Sequence, residues 1–216
     1  MGKSRGERVN GVLLLDKPGG MTSNAALQAV RRLLNAAKAG HTGTLDPMAT
    51  GLLPLTFGEA TKFSADLLNA DKSYRATLQL GITTRTGDAD GDVIDRCDAA
   101  VSSAQLDATL SRFIGTVAQV PPMHSALKRD GQPLYKLARE GTEVERAPRQ
   151  ITVHQMTLVE RCGDVVVVDV DCSKGTYVRV LAEDIGRALG CGAHLTALRR
   201  TRAGRLSVDD AVTLSA

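Results

Sequence analysis

Aromatic side chains are scarce in this 216-residue chain, which has three Tyr, three Phe and no Trp. A protein that holds nucleic-acid bases by stacking would have to use very few rings, so Tyr74, Tyr135 and Tyr177 each carry weight. Long apolar runs are also missing. No stretch approaches the roughly 18 residues of a membrane-spanning helix, so no membrane partner is expected. Residues 1–10 are polar and charged, without the apolar segment of a secretory signal. The expectation is a short flexible tail over residues 1–9 and a cytoplasmic protein. Cys97, Cys162, Cys172 and Cys191 are widely spaced with no C-x-x-C, which favours buried free thiols over disulfides or zinc ligands. Several motifs are absent: the phosphate-binding G-x-x-x-x-G-K-[ST], the dinucleotide G-x-G-x-x-G, G-x-S-x-G and H-E-x-x-H. Lys174-Gly175-Thr176 has its Lys and Gly in the wrong order for the first of these. Asp88-Ala89-Asp90-Gly91-Asp92 looks like the start of a calcium loop. Its sixth and twelfth places, however, hold Val93 and Ala99 rather than Gly and a carboxylate, so a solvated turn and no metal are expected.

With 43 % hydrophobic residues, the chain can bury a sizeable core. The formal charge of +3 is compatible with a nucleic-acid partner without requiring one. No linker and no internal repeat divides the chain, so residues 10–216 read as one domain.

The most constrained stretch runs from Gly40 to Leu53, with three glycines and a proline in fourteen residues. It reads as a folded loop with one carboxylate, Asp46. Pro47 fixes its own φ and biases Asp46 away from the helical region. His41 stands five residues before Asp46, and Thr42, Thr44 and Thr50 can bond loop backbone.

Around this loop, Gly11 to Leu15 has the length and apolarity of a strand. Thr22 or Ser23 can cap a helix from Asn24 to about Lys38. Leu52 to Phe57 reads as a strand, and Gly58 to Ala70 as a helix with Phe63, Leu67 and Leu68 inward. Tyr74 to Leu80 alternates like a half-buried strand, and Val93-Ile94 returns after a polar turn. Ser102 and Gln105 form a capping box for a helix over Ser103 to Phe113, and Thr116 to Val120 follows as a strand. Residues 125–150 are rich in charge and glycine and read as a mobile insertion. Ile151 to Val159 and Val165 to Val170 form an antiparallel pair. A helix follows to Leu189, ended by Gly190. Arg199, Arg200 and Arg202, with Arg205 beyond, form a cationic cluster suited to phosphate. The elements interleave, but alternation and short turns prevail. The fold class is α+β, with a mixed, largely antiparallel sheet flanked by helices.

The chemistry on offer is a framed acid, Asp46, an Arg179 two residues from Tyr177, and Tyr74 at a strand start. An Asp opposite an Arg stays ionised and suits nucleophilic attack. From local sequence alone, Arg179 equally fits a surface helix and Tyr74 a core edge. Paired carboxylates remain open, since pairing is spatial.

Five stretches settle the resemblance: 11–24 (GVLLLDKPGGMTSN), 40–54 (GHTGTLDPMATGLLP), 58–63 (GEATKF), 71–75 (DKSYR) and 172–179 (CSKGTYVR). Together they closely resemble the bacterial tRNA pseudouridine-55 synthases, the TruB family, from about Asn10 to Val212. The resemblance implies a pseudouridine-synthase-like fold and a cofactor-free, metal-free isomerase acting as a monomer. Its partner would be tRNA, through the T-arm stem-loop, where uridine 55 becomes pseudouridine. By analogy Asp46 is the nucleophile, at the sugar or at the uracil ring, and Arg179 pairs with it. Tyr74 stacks on the flipped uracil and Leu198 closes the apolar side of its pocket. His41 fills the space the nucleotide leaves, and Tyr177 and Lys17 complete or support the pocket. The family usually carries a C-terminal RNA-binding domain of the PUA type. This chain ends about where such a domain would begin, which implies weaker tRNA affinity. Arg85 and His124 stand where the family often has Asp and Tyr. The rival classes are an RNA-binding module without catalysis, and a glycosidase-like hydrolase pairing Asp46 with Asp88 or Asp90.

Overall fold

The computed structural model describes residues 6–125, 127–129 and 131–215. In chain order the strands and helices are β1 (Gly11–Lys17), α1 (Ser23–Leu33), β2 (Ala39–His41), β3 (Thr50–Phe57), α2 (Ser64–Asn69), β4 (Lys72–Leu80), β5 (Ile82–Thr84), β6 (Val93–Arg96), α3 (Ser103–Arg112), β7 (Gly115–Gln119), β8 (Lys128–Arg129), β9 (Gln132–Pro133), α4 (Leu134–Arg139), β10 (Arg149–Cys162), β11 (Val165–Cys172), α5 (Val178–Leu189), β12 (Ala193–Ala203) and β13 (Leu206–Ser207). The chain forms two compact units. The first comprises residues 1–75 and 198–216, the second residues 76–197. β4 and β12 each contribute residues to both units.

In the first unit, β3 pairs with β1 along its whole length, Gly11 facing Phe57 and Lys17 facing Gly51. β2 adds to β3 antiparallel, while β12 meets it in parallel, Arg199 facing Thr50 and Arg200 facing Gly51. This parallel pairing makes the sheet mixed. α1 lays Ala26, Leu27 and Val30 on Leu15, Leu53, Leu55 and Phe57, forming the core of the unit. Burying such side chains stabilises by about 1.5–3 kcal/mol each.

α1 ends at Leu33, five residues before the expected limit. Asn35 takes a left-handed φ of 46°, and the Arg31 guanidinium donates to the carbonyls of Ala36 and Ala37, both at 2.9 Å. The loop around Asp46 is shorter than expected, because β2 and β3 claim both of its ends. The expected helix over 58–70 is a tight 3-10 segment, Gly58–Phe63, followed by α2. Phe63 and Leu68 face outward rather than inward, since so short an α-helix offers no continuous apolar face. Residues 1–5 of the expected tail lie outside the described residues. Glu7 is fixed, receiving a bond from the Ala37 N–H at 2.9 Å, and Val9 packs on the core.

In the second unit the strand order is β12, β4, β11, β10, β7. β10 and β11 are antiparallel with two register shifts, and β7 pairs with β10 over five residues. The apolar face of α5, with Val178, Leu181, Ala182 and Ile185, shares its lining with Ala76, Leu78, Val168 and Val170 of the sheet. α3 carries the predicted capping box, Ser102 and Gln105 exchanging both bonds. Gly190 closes α5 at a φ of 80°. All four cysteines are free, but only Cys172 and Cys191 are buried. Cys162, at the end of β10, and Cys97, just after β6, are exposed, against expectation. The sequence reading left β12 unassigned because its arginines obscured the alternation. Among the described residues no helix is long and apolar enough to cross a membrane.

Candidate active site

Asp46 lies half-buried in the first unit, on the irregular segment between β2 and β3. Three buried side chains fix that segment by its main chain. Ser23, at the start of α1, accepts from the Leu45 N–H at 2.8 Å and donates to the Leu45 carbonyl at 3.1 Å. Lys17, at the end of β1 and wholly buried, donates to the carbonyls of Pro18 and Met21 at 2.8 and 2.7 Å and reaches that of Pro47 at 3.4 Å. Arg200, 1 % exposed, donates to Leu52 O at 2.7 Å and Gly43 O at 3.2 Å. Gly51 must lack a side chain: a Cβ there would lie 2.3 Å from the Arg200 carbonyl, where β3 and β12 cross closely. A short turn closes the segment, the Ala49 N–H donating to the Asp46 carbonyl at 3.1 Å. The residues on either side of Asp46 are therefore held by atoms that do not involve its carboxylate.

The electrostatics follow from burial. Desolvation lowers the Lys17 pKa from 10.5 to about 8; the Asp46 carboxylate opposes that shift and Arg200 adds to it. Burial, with Arg200 adding, also pushes the His41 imidazole below its ordinary value, so the ring is neutral at pH 7. His41 sits on β2 opposite Leu55, half-buried. Leu198 is buried on β12, its carbonyl accepting from the Thr50 hydroxyl at 3.4 Å, and Tyr74 is half-buried on β4. Of the expected site residues, the first unit thus brings Lys17 onto the Asp46 loop and places His41, Tyr74 and Leu198 in the same unit.

Tyr177 and Arg179 belong to the second unit. Tyr177 precedes α5 and is clamped by buried Gln119, which accepts from its N–H at 2.8 Å and donates to its carbonyl at 3.1 Å. Arg179 is 4 % exposed, not a surface helix residue. It donates to Thr86 O at 3.0 Å and His124 O at 3.1 Å, and its Nε lies 3.3 Å from an Asp88 carboxylate oxygen. Asp88 is likewise buried, contradicting the solvated turn. Its other oxygen accepts from the Thr86 hydroxyl at 2.5 Å and the Asp90 N–H at 3.2 Å. Arg85 opens this turn, its N–H donating to Asp92 O at 2.9 Å.

Sequence reasoning missed Ser23, Gln119 and Arg200, and named Asp88 only as the second acid of a rival reading. Three of them act on main chain, which leaves no pattern in side-chain spacing. Asp88 was the exception, since its acid-rich turn was visible and was read as solvated. The cationic cluster also needs correction. Arg200 is buried in carbonyls, and Arg199 is engaged by Asp16 through two bonds of 3.0 and 2.7 Å that raise its pKa, whereas Arg202 and Arg205 are exposed.

The fold matches that of solved structures. A Cbf5–Nop10–Gar1 complex matches with a TM-score of 0.76 at 35 % identity, over 95 % of this chain and 52 % of that one. An H/ACA ribonucleoprotein bound to a substrate RNA containing 2′-deoxyuridine matches at 0.73 and 30 %, over all of this chain and 57 % of that one. The chain thus spans about half the length of the solved chains it matches. Residues 31–178 match the TruB family pseudouridylate synthase N-terminal domain, and residues 179–216 the tRNA pseudouridylate synthase B C-terminal domain. The tRNA pseudouridine synthase B of Aromatoleum aromaticum is 65 % identical over 208 residues, 96 % of this chain and 68 % of that protein. That of Dechloromonas aromatica is 61 % identical over 209 residues, 97 % of this chain and 70 % of that protein. The family match and these relatives identify a pseudouridine synthase. The chain belongs to the TruB family of pseudouridylate synthases.

Proposed function

We propose that this chain converts uridine 55 in the T-loop of tRNA to pseudouridine, with Asp46 as the nucleophile. The observation that carries the reading is the Asp46 segment itself. Its backbone is fixed by Ser23, Lys17 and Arg200, and two of those clamps are cations. Positive charge beside a carboxylate favours the ionised, attacking form, and a fixed backbone prepays the cost of orientation.

In the reaction the bond between C1′ and N1 breaks, the uracil turns, and C5 bonds to C1′. N1 gains a proton, C5 loses one, and the mass is unchanged. Arg179 pairs with Asp46 and fixes its direction. Tyr74 stacks on the extruded base, returning about 1–3 kcal/mol of the unstacking cost. Leu198 closes the pocket, His41 fills the gap in the RNA, and Tyr177 shapes the rim. The enzyme needs no cofactor, binds the T-arm stem-loop as a monomer, and works in the cytoplasm. The hydrolase reading that pairs Asp46 with Asp88 loses support because both Asp88 oxygens are engaged.

The test is incubation with an unmodified T-arm transcript, followed by carbodiimide mapping of pseudouridine. Product at position 55 is expected. Binding without product would point to an RNA-binding module, and free uracil to a hydrolase.

A further inference from the structure

The two cations that hold the Asp46 segment share one level of the first unit's sheet. Lys17 on β1 and Arg200 on β12 both stand opposite Gly51 on β3. Residues in register across a sheet point to the same face, and their chain neighbours point to the other. Lys17 and Arg200 are buried, whereas Asp16 and Arg199, each one residue earlier, are partly exposed. One face thus carries the cations that bind the loop carbonyls. The opposite face carries Asp16 and Arg199.

Those two residues are joined directly. Arg199 Nη1 donates to Asp16 Oδ1 at 3.0 Å and Nη2 to Oδ2 at 2.7 Å. β3 lies between β1 and β12, so this bidentate pair reaches across a whole strand. The junction that it spans is short. Among the described residues β12 meets β3 at Arg199–Thr50 and Arg200–Gly51, whereas β1 follows β3 over its whole length. The junction is also under load, because Arg200 lowers the Lys17 pKa, a sign that the two buried cations repel across Gly51. Asp16 is anchored from its outer side, its N–H donating to the Val212 carbonyl at 2.9 Å. Exposed ion pairs contribute little as a rule, but a bidentate fork on an anchored carboxylate is the exception.

We infer that Asp16 and Arg199 are positioning residues for the reaction: their ion pair fixes Lys17 against Arg200, and through them the Asp46 segment. The inference rests on the reading that Asp46 is the nucleophile. The pair acts from the far face of the sheet, through the two cations rather than on the substrate. Arg199 is also a partly exposed cation, so a direct bond to an RNA phosphate is the competing role.

Three measurements test it. Single-turnover conversion of a T-arm transcript at saturating protein reads the chemical step, anisotropy of the labelled transcript reads binding, and hydrogen exchange reads the loop without turnover. Asp16→Asn and Arg199→Gln should each slow the saturated step by about three- to tenfold and change Kd by less than about twofold. The double variant should be about as slow as the slower single one, because the pair acts as a unit. Asp16→Glu keeps a carboxylate within reach of the fork and should recover most of the rate. Arg199→Lys keeps charge without the fork and should not. In both damaged variants amide exchange over residues 42–51 should rise about tenfold. A tie that serves stability alone would lower the unfolding midpoint and leave the saturated rate and loop exchange at wild-type values, which overturns the inference. A phosphate-binding Arg199 would overturn it too. Arg199→Gln would then weaken binding and lower the slope of log affinity against log salt by about 0.7–0.9, while Asp16→Asn left the rate unchanged. Should Arg199→Gln fail to fold, Asp16→Asn decides, because the amide keeps the carboxylate's shape and releases the guanidinium to water. Failure of the wild-type chain to form pseudouridine would sink the catalytic reading, and unchanged loop exchange in Asp16→Asn would by itself sink the positioning role.

Discussion

Two buried arginines, one in each unit, illustrate different ways of keeping a charge inside a protein. Arg179 in the second unit faces a carboxylate, Asp88, as well as two carbonyls. Arg200 in the first unit bonds to carbonyls and, among the described residues, has no carboxylate partner. Carbonyls satisfy the donors without cancelling the charge, so the field of Arg200 remains. It reaches Lys17 and His41, whose pKa values it helps to lower. The first unit therefore keeps net positive charge around the Asp46 loop, while the second sets a carboxylate, Asp88, beside its arginine. A compensated arginine is a rigid directional group. An uncompensated one is both a backbone clamp and a source of potential.

The largest effect should come from the acid inside that field. Asp46→Asn should fold, bind T-arm RNA and lose turnover by about a hundredfold or more, because the amide keeps the shape but can neither attack nor carry charge. Single-turnover kinetics with deamidation excluded is the measurement, and activity within tenfold of wild type would contradict a nucleophilic Asp46.

The arginines themselves come next. Arg179→Met strands the Asp88 carboxylate and should cost about 3–5 kcal/mol by denaturant unfolding. Adding Asp88→Asn should recover a substantial part of that loss. Arg200→Met leaves the Leu52 and Gly43 carbonyls unpaired at about 1–3 kcal/mol each, partly offset by removal of an unbalanced charge. It has no carboxylate to neutralise in compensation. Equal losses and equal rescue would erase the distinction between the two sites. Arg179→Lys, which keeps charge but not the planar fork, should still lower kcat.

A smaller effect belongs to Lys17. Its ammonium loses its proton as pH rises through about 8, whereas in the unfolded chain it keeps it to 10.5. Between those values the unfolded state binds more protons, so this group makes folding more favourable as pH rises. Activity should move the other way, since the positive charge beside Asp46 disappears. An alkaline limb in kcat near pH 8 is expected, and a flat profile to pH 9.5 would remove Lys17 from the electrostatics.

The smallest effect concerns residues 125–150, proposed to be mobile in the free protein and ordered by RNA. Before β10 begins at Arg149, the described parts contain only a two-residue hairpin strand pair and the six-residue α4. Hydrogen exchange with and without T-arm RNA should show protection appearing with the RNA. Strong protection in both states would make the segment a fixed wall.

Much of this was legible from sequence because it depends on local chemistry. The capping box at Ser102, the glycine stop at Gly190, the alternation of β4 and β10, and the crowding of Gly, Thr and Pro around Asp46 all act within a few residues. Periodicity and backbone preference are near-neighbour effects, and the sequence presents neighbours directly. Other features depended on residues distant in the chain. Ser23 meets Leu45, Gln119 meets Tyr177, and Arg200 meets Leu52 across separations of 22, 58 and 148 residues. Each binds main-chain atoms, which every residue type supplies, so side-chain identity gave no sign of the pairing. Whether an arginine faces solvent or lies among carbonyls depends on which strand packs beside it. The parallel meeting of β12 with β3 decided that for Arg200, and only the folded chain brings those strands together.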